Sequence, residues 1–125
     1  MVIKDPKGTY ELKVDTKRGI VYETFNGFLD MDSIHKDYVS KVAPLLKGKA
    51  WTKCSDLRNY KTTTLDGGDT HLNWCLENGM KQGAIIVESS IIKMQMNRLS
   101  KESNTQPTAF TTLEEADAWL KSQGF

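Results

Sequence analysis

The sequence predicts an α/β domain in which a mostly parallel sheet, opened by one antiparallel hairpin, carries helices packed on it. Three observations lead there. Tyr10, Leu12 and Val14 alternate with Glu11 and Lys13, and a second β-rich run from Ile20 to Phe25 follows within a hairpin's reach. Each later β-like run is separated from the next by a segment with helical apolar spacing, the pattern of parallel strands joined by right-handed crossovers. The run beginning Gly83-Ala84-Ile85-Ile86-Val87 is continuously apolar and too short for a helix, as expected of a strand covered on both faces.

In order, Met1 to Lys7 carries Pro6 and mixed charge and reads as a lead-in. Asp15-Thr16-Lys17-Arg18-Gly19 is a tight polar turn between the two hairpin strands, and Asn26-Gly27 closes the second. Asp30 or Asp32 then offers an oxygen to the free amides of a helix with Ile34, Tyr38, Val42 and Leu45 inward. Pro44 lacks a backbone donor, so that helix kinks or ends between Val42 and Leu46, and Gly48 stops it. Trp51 to Leu57 is the third strand by position and length, although Lys53, Ser55 and Asp56 interrupt the apolar run a buried strand would show.

Asn59 to Gly68 reads as a threonine-rich loop, with Asp69 capping a helix whose inward stripe is Leu72, Cys75 or Leu76, and Met80. After the apolar strand, Ser89 or Ser90 caps a helix with Ile91, Ile92, Met96 and Leu99 inward. Thr108 to Thr111 is a last short strand around Phe110. Thr112-Leu113-Glu114-Glu115 is a capping box opening a helix with Leu113, Ala116, Trp119 and Leu120 inward. The order is β-β-α-β-α-β-α-β-α, without repeat, linker or low-complexity tract.

At 125 residues the chain forms one domain, residues 1–125, with one core. Seventeen basic against sixteen acidic residues leave a net charge of +1, which supplies no pull towards nucleic acid or anionic lipid. Lys47, Lys49 and Lys53 read as a solvated helix end, with no aromatic residues alternating beside them on a strand face. Two cysteines, Cys54 and Cys75, are too few for a disulfide framework or a zinc knuckle. Charged residues close behind Met1, and no run long enough to span a bilayer, point to a cytoplasmic protein without membrane insertion.

Several residues carry a resemblance: Tyr22-Glu23 through Gly27-Phe28, Trp51 with Asp56-Leu57-Arg58, and the stretch Phe110-Thr111-Thr112-Leu113-Glu114-Glu115-Ala116-Asp117-Ala118-Trp119-Leu120. With the element order, they make the chain similar to STAS domains and, more closely, to the small bacterial SpoIIAA-like proteins. The resemblance spans nearly the whole chain. It implies a non-enzymatic regulatory module engaging a protein partner or itself as a homodimer. In the anti-sigma factor antagonists, the loop after the third strand carries an Asp-Ser-Ser-Gly type motif whose serine is phosphorylated. Here that stretch reads Asp56-Leu57-Arg58-Asn59, and the nearest hydroxyls downstream are Thr62, Thr63 and Thr64. A phosphate there adds nearly two negative charges beside a helix amino end. The expected partner or regulatory surface is therefore Asp56, Arg58, Thr62, Thr63, Thr64 and Asp69.

The residues themselves assemble no catalytic set. His71 and Cys75 stand four apart on one helix, with His35 and Asp32 to be imagined nearby, but no further ligand is placed to complete a zinc site. Cys54 beside Lys53 lacks a base and an orienting group, and no phosphate-cradling or nucleophile-elbow motif occurs. No cofactor is expected. The three tryptophans are expected in or half in the core, and Met94 and Met96 point to opposite faces of their helix, leaving one outside. The alternative function is a carrier of a small apolar or lipid ligand, with Trp51, Tyr60, Trp74, Met94 and Met96 as the expected pocket lining.

Overall fold

The computed structural model describes residues 1–60, 68–102 and 107–125. Its centre is a six-stranded sheet in sequential order. The strands are β1 (Val2–Lys4), β2 (Tyr10–Asp15), β3 (Ile20–Gly27), β4 (Thr52–Tyr60), β5 (Ala84–Ile86) and β6 (Thr108–Phe110). β1 to β3 pair antiparallel, and β3 to β6 pair parallel. The predicted hairpin and parallel remainder are both present.

The supposed lead-in is β1. Ile3 pairs with Leu12 and is buried, but three residues are too few to display a period of two. The third strand begins at Thr52 and extends to Tyr60, so Asn59 and Tyr60 belong to it and not to a loop. Trp51 bridges to Met80 just ahead of it.

Between β3 and β4 the chain forms α1 (Met31–Asp37), a π-helical turn (Tyr38–Val42) and α2 (Ala43–Leu46). Asp30 caps α1 by accepting from the Asp32 and Ser33 amides. The Ala43 amide donates to the Tyr38 carbonyl across the widened turn, directly before Pro44, which enters the first turn of α2. The kink expected from proline is thus resolved as a π-turn. Gly48 then leaves the helix with φ of 79°.

The remaining helices are α3 (Gly68–Glu77), α4 (Ser90–Glu102) and α5 (Leu113–Ser122). Ile34, Tyr38 and Cys75, together with Val21 and Phe25 of β3, form the core beneath α1 and α3. Met96 of α4 packs on Ile85, Val87 and Ala109 of the same sheet face. The opposite face holds Ile20, Cys54, Ala84 and Ile86 against Ala116 and Leu120 of α5. Thr112 caps α5 through the Glu115 amide, as the capping box predicts. The Arg18 guanidinium of the hairpin turn ties to Asp117 of α5 at 2.6 Å, and Tyr22 donates to the same carboxylate.

Three inward assignments are corrected. Ile91 is 70% exposed and Ile92 41%, while Leu113 is also exposed. The orientation of α4 follows from Asn97, whose side chain accepts from the Ala109 amide at 2.6 Å and donates to the Ala109 carbonyl at 3.1 Å. Those backbone groups lie on the outer edge of β6. Leaving a buried amide unpaired costs more than exposing an isoleucine, so the helix turns Asn97 inward and Ile91 outward.

Candidate functional site

The central row of the sheet face under α1, α3 and α4 runs Leu12, Glu23, Ser55, Ile85, Ala109. In the middle of an otherwise apolar row stand a carboxylate and a hydroxyl, 4% and 7% exposed. Lys53 lies one pleat back on the same face, beside Val21. Charges at such depth are tolerated only when paired and hydrogen-bonded, and here they are.

Ser55 Oγ donates to Glu23 Oε1 at 2.5 Å. Tyr38 donates its hydroxyl to Glu23 Oε2. Lys53 Nζ approaches the same oxygen at 3.5 Å and stands 4.4 Å from the centroid of the Tyr38 ring. It also meets His71 Nε2, 3.0 Å away, and hydrogen-bonds the Cys75 side chain. An ammonium only donates, so His71 Nε2 must accept, and the imidazole proton sits on Nδ1. That proton points to His35 Nδ1 at 2.9 Å, which fixes the half-buried His35 as the Nε2-protonated form. Cys75 Sγ closes the set, 3.6 Å from His71 Nε2.

The electrostatics follow from burial. His71 is held neutral, with its pKa pushed down to about 3, by desolvation first and then by the Lys53 charge. Desolvation, with the Glu23 carboxylate adding, lifts the Tyr38 hydroxyl well above its ordinary value. Burial also raises the Cys75 thiol, the Lys53 charge opposing it. Burial likewise pushes Cys54 up to about 12, on the other side of the sheet under α5. Neither cysteine is poised as a thiolate nucleophile.

His71 and Cys75 do share a helix face, and His35 does come to them, as their spacing allowed. His35 meets Nδ1 of His71, however, whereas Cys75 meets Nε2. Among the described residues no three His, Cys, Asp or Glu side chains are grouped to hold a metal ion.

Glu23, Lys53 and Ser55 also border a cavity of about 240 Å³ whose other walls include Phe25, Leu57 and Tyr60. Of the residues expected to line one pocket, Tyr60 is here, while Trp51 and Trp74 flank a separate 430 Å³ groove with Val39 and Pro44. Met94 is exposed and Met96 packs against the sheet, on opposite sides of α4 as expected.

Of the predicted surface residues, Asp56 and Arg58 lie in the carboxyl-terminal half of β4. Asp56 receives both Arg58 Nε and Nη2, at 2.9 and 2.7 Å, and this pairing holds the Asp56 carboxyl below its usual range. The Arg58 guanidinium also feels Glu114 at the start of α5. Nearby, Lys93 of α4 pairs with Glu115 at 3.5 Å and lies over the Phe110 ring, joining the first turns of α4 and α5. Asp69 falls inside α3, one residue past its start, instead of ahead of it. Thr62, Thr63 and Thr64 lie outside the described residues. The buried Glu23 was missed as a site residue, though its place between Val21 and Phe25 on an alternating strand was the available signal.

Among the described residues no helix is long and apolar enough to cross a membrane. No protein-family model matches the sequence, and no curated protein matches it. A crystal structure from Shewanella loihica PV-4, of an uncharacterised DUF3478-family protein with a SpoIIAA-like fold, superposes with a TM-score of 0.64. It shares 15% identity, over 87% of this chain and 90% of that one. The sequential mixed sheet, with three crossover helices on one face and the last helix on the other, is thus a SpoIIAA-like fold.

Proposed function

We propose that this chain is a non-enzymatic cytoplasmic module of the STAS type, which regulates or is regulated by a protein partner bound at the carboxyl rim of the sheet. The observation that carries the reading is the apolar stripe on α4. Ile91 and Met94 are 70% and 67% exposed and Ile92 41%, three apolar side chains presented within the first turns of α4. Several exposed apolar side chains along one helical stretch suit an interface centre, whereas solitary exposed residues need no such explanation.

The proposed surface comprises Asp56, Arg58 and Asp69 with this stripe, and Thr62, Thr63 and Thr64 are its proposed regulatory hydroxyls. The buried groups favour a module without catalysis, since Glu23, Lys53, Tyr38 and His71 are engaged with one another. Two buried free thiols suit a reducing compartment.

The test is affinity capture from the native cell with the unmodified chain and with an Ile91→Asp, Met94→Asp double variant of matching thermal midpoint. A protein retained by the first and reduced at least about tenfold on the second is the expected result. Sedimentation velocity covers a second copy as the partner, with the variant expected to dissociate it. Equal retention and equal sedimentation by both chains refute the reading.

A further inference from the structure

The geometry points to a binding site for a small apolar alcohol or phenol in the cavity bordered by Glu23, Ser55 and Lys53. This does not rest on the rim surface, because the cavity lies under the helices, on the sheet.

Size sets the first limit. An apolar cavity of about 150 Å³ is enough to take benzene, so about 240 Å³ accommodates a ring with a short alkyl tail. The walls set the second. Phe25 and Tyr60 meet edge to face at 5.5 Å, and Leu29, Leu57, Met80 and Ile85 complete an apolar lining around one polar side. Such a lining with a few convergent polar groups is the usual make-up of a ligand site.

Hydrogen-bond arithmetic on the polar side chooses the head group. Glu23 and Ser55 are more than nine-tenths buried, so their remaining capacity faces the protein interior and this cavity. Among the described residues, Ser55 Oγ makes one hydrogen bond, its donation to Glu23, and keeps its acceptor lone pairs. Glu23 Oε1 accepts from Ser55 and has a second lone pair to offer. Both present acceptors, while the Lys53 ammonium, already directed at Glu23, His71 and Cys75, borders the cavity as a positive charge. A hydroxyl satisfies that arrangement because it donates to Oε1 or Oγ and turns its electron-rich oxygen towards the Lys53 charge. A carboxylate is repelled by Glu23, and a hydrocarbon leaves the acceptors unmatched.

The experiment titrates the full chain with 4-propylphenol and, separately, with propylbenzene, following amide shifts by heteronuclear NMR. Saturable shifts at Phe25, Ser55, Leu57 and Ile85 are expected for the phenol, with propylbenzene weaker by roughly tenfold, the usual value of a hydrogen bond to a charged acceptor. Ser55→Ala is expected to narrow that gap, and Leu57→Trp, which fills the cavity, to abolish both titrations; a thermal melt shows whether each variant is folded. Equal affinity for the two compounds overturns the assignment of the head group. Shifts confined to the Trp51 and Trp74 groove, or none that saturate, overturn the site itself.

Discussion

Lowering the pH through the ordinary imidazole range asks the unfolded chain, but not the folded one, to take a proton at His71. Burial beside Lys53 holds this side chain neutral down to about pH 3, against 6.5 for a free imidazole. A depressed folded-state pKa means that the contribution is whole above the unfolded value and is lost as pH falls towards the folded one. At about 1.4 kcal/mol per pH unit, the loss between pH 7 and pH 4.5 is roughly 2.5 kcal/mol from this group alone.

Carboxylates held low by partners, such as Asp56 and Asp117, add an acid loss of their own, so the total slope does not isolate the histidine. His71→Gln does. Its amide oxygen can accept from Lys53 and its nitrogen can donate to His35, yet it does not titrate. Urea unfolding at about pH 7 and about pH 4.5 should show the variant losing roughly 2.5 kcal/mol less than the parent across that interval. Equal losses in the two chains would refute the neutral, buried His71 and the proton placement derived from it.

Two further perturbations probe the same framework. Glu23→Ala strands the Lys53 ammonium and the Tyr38 hydroxyl without their acceptor, so unfolding in urea should show a loss of about 3–5 kcal/mol, and a loss below about 1 kcal/mol would contradict a buried ion pair. Asn97→Ala removes both partners of the Ala109 backbone on the β6 edge, at a cost of about 1–3 kcal/mol. Hydrogen exchange at the Ala109 amide should quicken in that variant, and unchanged protection would show that Asn97 does not close this edge.

Much of the fold is legible along the chain because it is local. The hairpin follows from Tyr10, Leu12 and Val14 alternating up to a turn whose Gly19 has φ of 72° and would press a Cβ within 2.8 Å of the Ala50 carbonyl oxygen. Caps at Asp30 and Thr112 bond the amides their positions in sequence imply. The site was only half legible. Lys53 and Ser55 stood out as polar residues interrupting a buried strand, but nothing near them in sequence states what they meet. Their partner Glu23 is thirty-two residues from Ser55 and becomes its neighbour through the parallel register of β3 and β4.

The sequence by itself determined the order of elements, their caps and turns, and the apolar stripes that make a layered sheet the stable arrangement, since these depend on side-chain period and on interactions within a few residues. Only the tertiary structure decided which way α4 turned and what the interrupted strand was for. Satisfying Ala109 through Asn97, and closing Glu23, Lys53 and His71 on one another, are pairings between distant segments. They are enforced by the cost of leaving a buried polar group alone, and that cost exists only once the chain has folded around it.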